Sequence, residues 1–134
     1  MSEFNDQIIA EFRANGGRVE AFGDAPMVVL HAVGSKSGEV RETPLVALVE
    51  GDELFVFASA AGAPKNPSWY HNLKANPEID VEYGTEKFRA RLTELDDPER
   101  GERLDAQAEL MPTFGDYIPS AAPRLIPGFR IDRL

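Results

Sequence analysis

Positive charge is scarce in this chain, so the positions of its lysines and arginines indicate where an anion could bind. The sequence has 14 Lys and Arg against 23 Asp and Glu, giving a net charge of −9. Lys36 lies in a loop of glycine and serine (residues 34–38), and Arg41 and Thr43 follow it. Glycine lets backbone N–H groups approach an anion, while hydroxyl, ammonium and guanidinium groups donate to phosphate. The pattern predicts an anion site, and the alternative is a hairpin turn with a solvated lysine.

A second group of candidate residues lies in a stretch without acids, residues 54–77. Small residues at 58–63 would let a flat ligand or a neighbouring backbone come close. Lys65 precedes a predicted helix, whose N-terminus would favour negative charge. Trp69 adds an aromatic face to this ligand site. The alternative role of Trp69 is a core anchor that packs the helix on the sheet.

The elements that must position these residues are short helices and antiparallel strands. Apolar residues at helical spacing (Phe4, Ile8, Ile9 and Phe12) predict an amphipathic helix over about residues 5–14. The β-rich runs are 27–33, 43–50, 53–60, 79–83, 88–92 and 125–131, and two-residue turns at 51–52 and 84–85 predict hairpins. Proline signals predict helices beginning near residues 67 and 98, and they divide the tail after residue 112 into short pieces. This order predicts one α+β domain over residues 1–134, a small antiparallel barrel or curled sheet with flanking helices.

Composition excludes several classes of function. The chain has no cysteine, which excludes disulfides and thiolate chemistry. The net negative charge argues against nucleic acid as a partner. No apolar run approaches a membrane span, and the N-terminus lacks the basic start of a secretory signal, so we expect a cytoplasmic protein. His31 and His71 have no third ligand at motif spacing, so no metal is predicted, and neither Ser59 nor Ser68 stands in the Gly-x-Ser-x-Gly elbow of a hydrolase.

The combined motif pattern is more specific than any of its pieces. It consists of Gly34-Ser35-Lys36-Ser37-Gly38, Arg41, Thr43-Pro44-Leu45, Ala58-Ser59, Ala63-Pro64-Lys65-Asn66-Pro67, Trp69-Tyr70-His71-Asn72-Leu73 and Ala75-Asn76-Pro77. In this spacing the chain closely resembles the deazaflavin (F420)-dependent nitroreductase and quinone reductase family, over about residues 8–117. The resemblance implies a split β-barrel, of the type that also binds FMN, holding coenzyme F420 (8-hydroxy-5-deazaflavin).

The resemblance also implies which residues bind the coenzyme. They are Lys36, Ser37, Gly38, Arg41, Thr43, Pro44, Leu45, Ala58, Ser59, Gly62, Ala63, Pro64, Lys65, Trp69 and Asn72. The first four would hold the phosphate and the acidic glutamyl tail. The next three would lie along one edge of the deazaflavin ring and the following six on its other side, and the last two would close the pocket.

The tail of the chain, residues 111–134, is predicted to form a substrate-side lid and a last strand. Relatives place tyrosines three residues apart on this lid, where this sequence has Met111, Phe114 and Tyr117. Only Tyr117 keeps a hydroxyl, so it is the candidate catalytic proton donor, and the other two would form an apolar lid. The implied reaction is hydride delivery from reduced F420 to a flat, electron-poor acceptor, which is a quinone, a nitroaromatic or an enone.

Two other functions stay open at this point. The same cations could hold the phosphate of FMN, which would make the protein an FMN-binding reductase on the same barrel. A carrier that binds the coenzyme or a lipid-like molecule without turnover is the second alternative. In each case the partner is a small molecule, membrane contact is at most peripheral, and pairing into a homodimer remains open.

Overall fold

The computed structural model describes residues 3–134, with side chains from residue 5 onward. Its helices are α1 (Glu3–Ala14), α2 (Ser68–Ala75), α3 (Glu99–Leu110) and α4 (Pro112–Ala121). Its strands are β1 (Met27–Val33), β2 (Val40–Val46), β3 (Leu48–Glu50), β4 (Glu53–Phe57), β5 (Glu78–Tyr83), β6 (Glu86–Glu94) and β7 (Gly128–Arg133). Short 3-10 turns span Glu20–Phe22 and Ala60–Gly62. The predicted α+β class is confirmed.

All seven strands form one antiparallel sheet that curls into a split barrel. The strand order is β2-β1-β5-β6-β7-β4-β3, so β2 and β3 lie at opposite edges of the sheet. In the chain, however, Ala47 alone separates these two strands. The sheet must therefore curl until its two edges meet, which is the barrel geometry that the sequence predicted.

The alternation of side chains along the strands divides the apolar residues into an inner core and two outer cores. In β4, Val56 joins the inner core, whereas Phe55 packs outward against α3 and α4. The inner core is closed by α2, which contributes Trp69 and Leu73. A third cluster lies under α1 and confirms the predicted apolar stripe at Ile8, Ile9 and Phe12. The predicted member Phe4 lies outside the described side chains.

Two predicted elements differ from the structure. The predicted strand 43–50 is two strands, because the chain changes its pairing partner at Ala47: β2 pairs with β1 as far as Val46, and β3 pairs with β4 from Leu48. The edge position of β2 tolerates Pro44, which cannot donate to a second neighbour. The turn at residues 51–52 joins β3 to β4 as predicted. The tail is not divided into short pieces after residue 112, because α4 continues for ten residues and contains Pro119.

Candidate functional site

The split between the two sheet edges forms a groove of about 500 Å³. β2 pairs only with β1, and β3 covers β4 only as far as Phe55, so the end of β4 faces the free edge of β2. Helices α1 and α4 supply the remaining walls. Six residues that the sequence nominated line this groove: Pro44, Leu45, Ser59, Met111, Phe114 and Tyr117. The structure thus brings together proposed ring contacts and the proposed substrate lid.

The cations nominated from the sequence stand out because no carboxylate neutralises them. Most lysines and arginines lie within 4.0 Å of an Asp or Glu oxygen. Within residues 5–134 the exceptions are Lys36, Arg41, Lys65, Lys87 and Arg124. The first three are the proposed coenzyme cations, and all three are exposed. In a protein of net charge −9, this leaves their charge available to an anionic ligand.

The register of β2 places Arg41 on the same face as the groove residue Leu45. Arg41 is opposite Ala32 and Leu45 is opposite Val28, and both partners belong to the inner core. Because side chains two residues apart share a face, Arg41, Thr43 and Leu45 form one row along β2. The row leads from Arg41, near the start of β2, to Leu45 in the groove, although none of Lys36, Arg41 and Lys65 itself lines the groove.

The loop that carries Lys36 is fixed by hydrogen bonds to itself and to α2. Gly38 N–H donates to the Gly34 carbonyl at 3.0 Å, and Ser35 N–H donates to the buried Asn72 Oδ1 at 3.0 Å. The Ser37 hydroxyl oxygen accepts from Glu39 N–H at 3.1 Å. In the described chain, the backbone N–H groups of Lys36 and Ser37 have no such acceptor. Asn72 therefore braces the loop, and its proposed contact with the coenzyme stays a prediction.

Two further nominated residues have clear packing roles. Trp69 is 8% exposed and packs on Phe129 with ring centroids 6.1 Å apart, as a core anchor would. Gly62 has φ +81°, and a Cβ there would lie 2.8 Å from Ser120 Cβ and 3.3 Å from Tyr117 Cα. Only glycine fits where α4 approaches this closely. Coenzyme contacts by these two residues, and by Ala58, Ala63 and Pro64, stay predictions.

Comparison with known proteins decides the family. The profile of the F420H(2)-dependent quinone reductases matches residues 5–128. The chain belongs to this family. It is 38% identical over 81 residues to an F420H(2)-dependent quinone reductase of Mycobacterium tuberculosis, a match that covers 59% of this chain and 54% of that protein. The chain thus spans about half the length of the curated relatives it matches.

Solved structures agree with the family and the fold. An F420-H2-dependent reductase superposes with a TM-score of 0.72 at 35% identity, covering 80% of this chain and 94% of that one. A second structure, described as a domain-swapped dimer, has a TM-score of 0.73 at 30% identity and covers 96% of each chain. The family resemblance predicted from the sequence motifs is confirmed.

Arg124, which the sequence analysis did not nominate, holds the segment that carries several proposed coenzyme contacts. Its guanidinium donates to the carbonyl oxygens of Ala58 at 2.9 Å, Ser59 at 2.9 Å and Ala63 at 2.8 Å, and to Asn66 Oδ1 at 2.6 Å. It thereby joins the segment after α4 to residues 58–66. An arginine in the tail gives no signal in the sequence that its partners lie some 60 residues earlier.

The segment held by Arg124 has an unfavourable backbone. Ala60 and Ala61 have φ values of 49° and 53°, and the left-handed region costs a residue with a Cβ about 1–2 kcal/mol. Within the described chain, the N–H groups of Ser59, Ala60 and Ala61 have no hydrogen-bond acceptor. Strained backbone of this kind persists only where its surroundings hold it. Arg124 and the Ser120 hydroxyl, which donates to the Gly62 carbonyl at 3.0 Å, supply that restraint.

A separate polar cluster fixes α1, the helix that lines one side of the groove. Arg13 on α1 donates to Glu82 and Glu42, each at 2.7 Å, and His31 Nε2 lies 2.7 Å from Glu82. A ring nitrogen of His31 and carboxylate oxygens of Glu42 and Glu82 lie within 4.8 Å of one another. The cation that contacts both carboxylates is the Arg13 guanidinium. Hydrogen bonds from Arg13, and then from His31, lower the pKa of Glu82 from 4.5 to about 2.

This cluster should make stability depend on pH in the acid range. A carboxyl whose pKa is lowered by folding stabilises the protein above the unfolded pKa, so its contribution should disappear as pH falls from about 4.5 to about 2. Glu82→Gln should lower the free energy of unfolding at neutral pH by on the order of 2 kcal/mol, with solvent screening at the half-exposed Arg13 reducing the effect. Urea unfolding across this pH range measures it.

The matched control is Glu86→Gln on the same hairpin, where an exposed carboxylate pairs with Arg133. This change should alter stability by no more than about 0.5 kcal/mol. If Glu82→Gln loses as much stability as the unmodified protein when pH falls from about 4.5 to about 2, other groups cause the pH dependence.

Proposed function

We propose that this protein is a reductase that binds reduced coenzyme F420 and transfers its hydride to a quinone. The observation that supports this proposal is an apolar groove between β2 and β4, with Arg41 on the face of β2 that leads to it and three cations that lack carboxylate partners within residues 5–134. The groove volume of about 500 Å³ is in the range of small-molecule sites. Membership of the F420H(2)-dependent quinone reductase family supports both the coenzyme and the acceptor class.

The residues present suit this coenzyme. Lys36 and Arg41 would hold its phosphate and glutamyl carboxylates, and Lys65, before α2, would add charge. Leu45 and Ser59 would lie on either side of its ring. Reduced F420, when bound, would supply a hydride from carbon 5 of its deazaflavin ring. This hydride and one proton would convert a quinone to a hydroquinone.

The chain's own part in the reaction is to position the partners, exclude water and provide the proton. Met111 and Phe114 would cover the acceptor with apolar surface. Tyr117 also lines the groove, and its hydroxyl has no hydrogen-bond partner among the described residues. We propose that this hydroxyl donates to the acceptor oxygen as negative charge develops there.

Removing the Tyr117 hydroxyl tests this role. Tyr117→Phe should lower kcat for quinone reduction roughly 10- to 100-fold and leave the affinity for F420 unchanged. Stopped-flow kinetics of a single turnover, with a separate titration of oxidised F420, separate the two effects. Tyr83→Phe, on β5, is the matched control and should change neither. An unaltered single-turnover rate in Tyr117→Phe would remove the residue from the mechanism.

The function itself is tested by mixing the protein with reduced F420 and menadione and following the return of the absorbance of the oxidised coenzyme. Catalytic reoxidation is the expected result. Binding of F420 without turnover of menadione or of a nitroaromatic or enone acceptor would favour the carrier. Binding of FMN with indifference to F420 would favour the FMN-dependent alternative.

The setting of the enzyme belongs to the same proposal. Among the described residues, no helix is long and apolar enough to cross a bilayer. A cytoplasmic location with at most peripheral membrane contact is supported by the net charge of −9, because anionic lipid repels such a protein. The domain-swapped relative supports a homodimer, which analytical ultracentrifugation would test.

A further inference from the structure

We propose that a second, apolar cavity beside the groove binds the aliphatic tail of the quinone acceptor. This inference rests on the proposed function. The cavity has a volume of about 400 Å³ and lies between the turn Glu20–Phe22, strand β3 and the C-terminal end of α3. Its walls include Phe22, Pro26, Ala47, Val49 and Leu110. None of these residues belongs to the proposed coenzyme site.

The cavity adjoins the groove, and side chains form the boundary between the two spaces. Phe22 and Met111 line both spaces. The sulfur of Met111 accepts a hydrogen bond at 3.1 Å from Nε2 of Gln107, which is 2% exposed. Gln107 therefore fixes the position of Met111 at the boundary. A flexible chain attached to a ring in the groove can pass between Phe22 and Met111 into the second cavity.

The cavity and the coenzyme cation Arg41 lie at opposite ends of β2 and its continuation. Arg41 and Ala47 lie six residues apart along β2 and its immediate continuation, a distance of roughly 20 Å in extended backbone. The anionic tail of F420 would leave the groove at the Arg41 end. The end at Ala47 is then free for the second substrate. The two tails would extend in opposite directions from the reacting rings.

The side chains that line the cavity favour a hydrocarbon ligand. Among the described residues, no lysine or arginine lines the cavity. Its polar side chains are Asp24, which is exposed and pairs with Arg18 at 2.8 Å, and Gln107, whose amide donates to Met111. Leu110 is 70% exposed and Val49 is 37% exposed, so apolar surface is open to water at the mouth. An isoprenoid or alkyl chain would cover this surface, and its burial would strengthen binding in proportion to the area removed from water.

The test compares quinones that share one ring and carry no tail, one isoprene unit or two. We expect kcat/KM to rise at least about tenfold from no tail to two units in the unmodified protein. Leu110→Glu and Val49→Glu place a charge in the wall and should abolish most of this rise without changing reduction of the tailless quinone. Leu134→Glu is the control, since Leu134 is 67% exposed and lines neither cavity.

The possible results distinguish a failure of the tail-site proposal from a failure of the proposed function. If the tailless quinone is reduced but the tail gives no gain, or if the gain survives both wall variants, the tail site is wrong and the proposed function stands. If F420 reduces no quinone, the proposed function fails.

A binding measurement tests the tail site even without turnover. The chain has no cysteine, so Leu110→Cys provides a unique position for a polarity-sensitive fluorophore. Tailed quinone should produce a saturable blue shift that the tailless quinone does not, and label at Leu134→Cys should show none. No shift at position 110 would overturn the assignment.

Discussion

Replacing Lys36 and Arg41 together with alanine should weaken the binding of coenzyme F420 by about a hundredfold or more. Both side chains are exposed and lack carboxylate partners within residues 5–134, so their charge has no other structural use. Each charge-assisted hydrogen bond to an anion contributes about 1.5–3 kcal/mol, and two of them account for this loss. Fluorescence titration of oxidised F420 at low and high salt measures it.

The matched control removes the same charge elsewhere. Lys87 is unpaired like Lys36 but lies at the start of β6, and Arg18 is an exposed arginine whose partner is Asp24. Lys87→Ala combined with Arg18→Ala should leave the affinity for F420 nearly unchanged. The site variant should also lose much of the salt dependence of binding, because contacts with anions are screened by salt. Equal effects in the two double variants would mean that net charge alone governs binding.

Arg124→Met should weaken the binding of F420 more than tenfold and lower the free energy of unfolding by at least about 3 kcal/mol. The change removes the donors to the carbonyls of Ala58, Ser59 and Ala63, and partly buried acceptors left unpaired cost about 1–3 kcal/mol each. Without this restraint, residues 60–62 should leave their left-handed conformation. Arg124→Lys should recover only part of the loss, because an ammonium cannot reproduce the planar set of donors.

A positioning role must be separated from general destabilisation. Arg100 is a suitable control, since it is partly buried and donates to one carbonyl, that of Ile126, at 3.1 Å. Arg100→Met should lose stability but keep the affinity for F420 and the KM for menadione. Arg124→Met should raise the KM for F420 while the KM for menadione changes little. Wild-type affinity for F420 in folded Arg124→Met would contradict the positioning role.

Local signals in the sequence were sufficient for most of the fold. Apolar spacing predicted α1, and the turns at residues 51–52 and 84–85 predicted two hairpins that the structure confirms. The long strand over residues 43–50 was wrong because the chain changes its pairing partner at Ala47, from β1 to β4, and no local signal marks that change. α4 was missed because Pro112 takes the first position of the helix, where proline is tolerated, and because the helix continues past Pro119, a residue that normally ends one.

The candidate site could be predicted only in part, for similar reasons. Motif spacing nominated six residues that line the groove and three cations without carboxylate partners. It could not reveal that Asn72 braces the loop of Lys36 or that Trp69 packs on Phe129, because both facts depend on where α2 lies. It also could not find Arg124, whose partners are distant in the chain. The left-handed alanines at 60 and 61 carry no sequence signal either, since glycine is the residue expected there.

A crystal structure of the protein with oxidised F420 would show directly whether the coenzyme binds between β2 and β4. We expect the phosphate within hydrogen-bonding distance of Lys36 and Arg41, with the ring between Leu45 and Ser59 and one face toward Tyr117. Coenzyme bound outside the split between β2 and β4, or with its phosphate remote from both cations, would contradict this expectation.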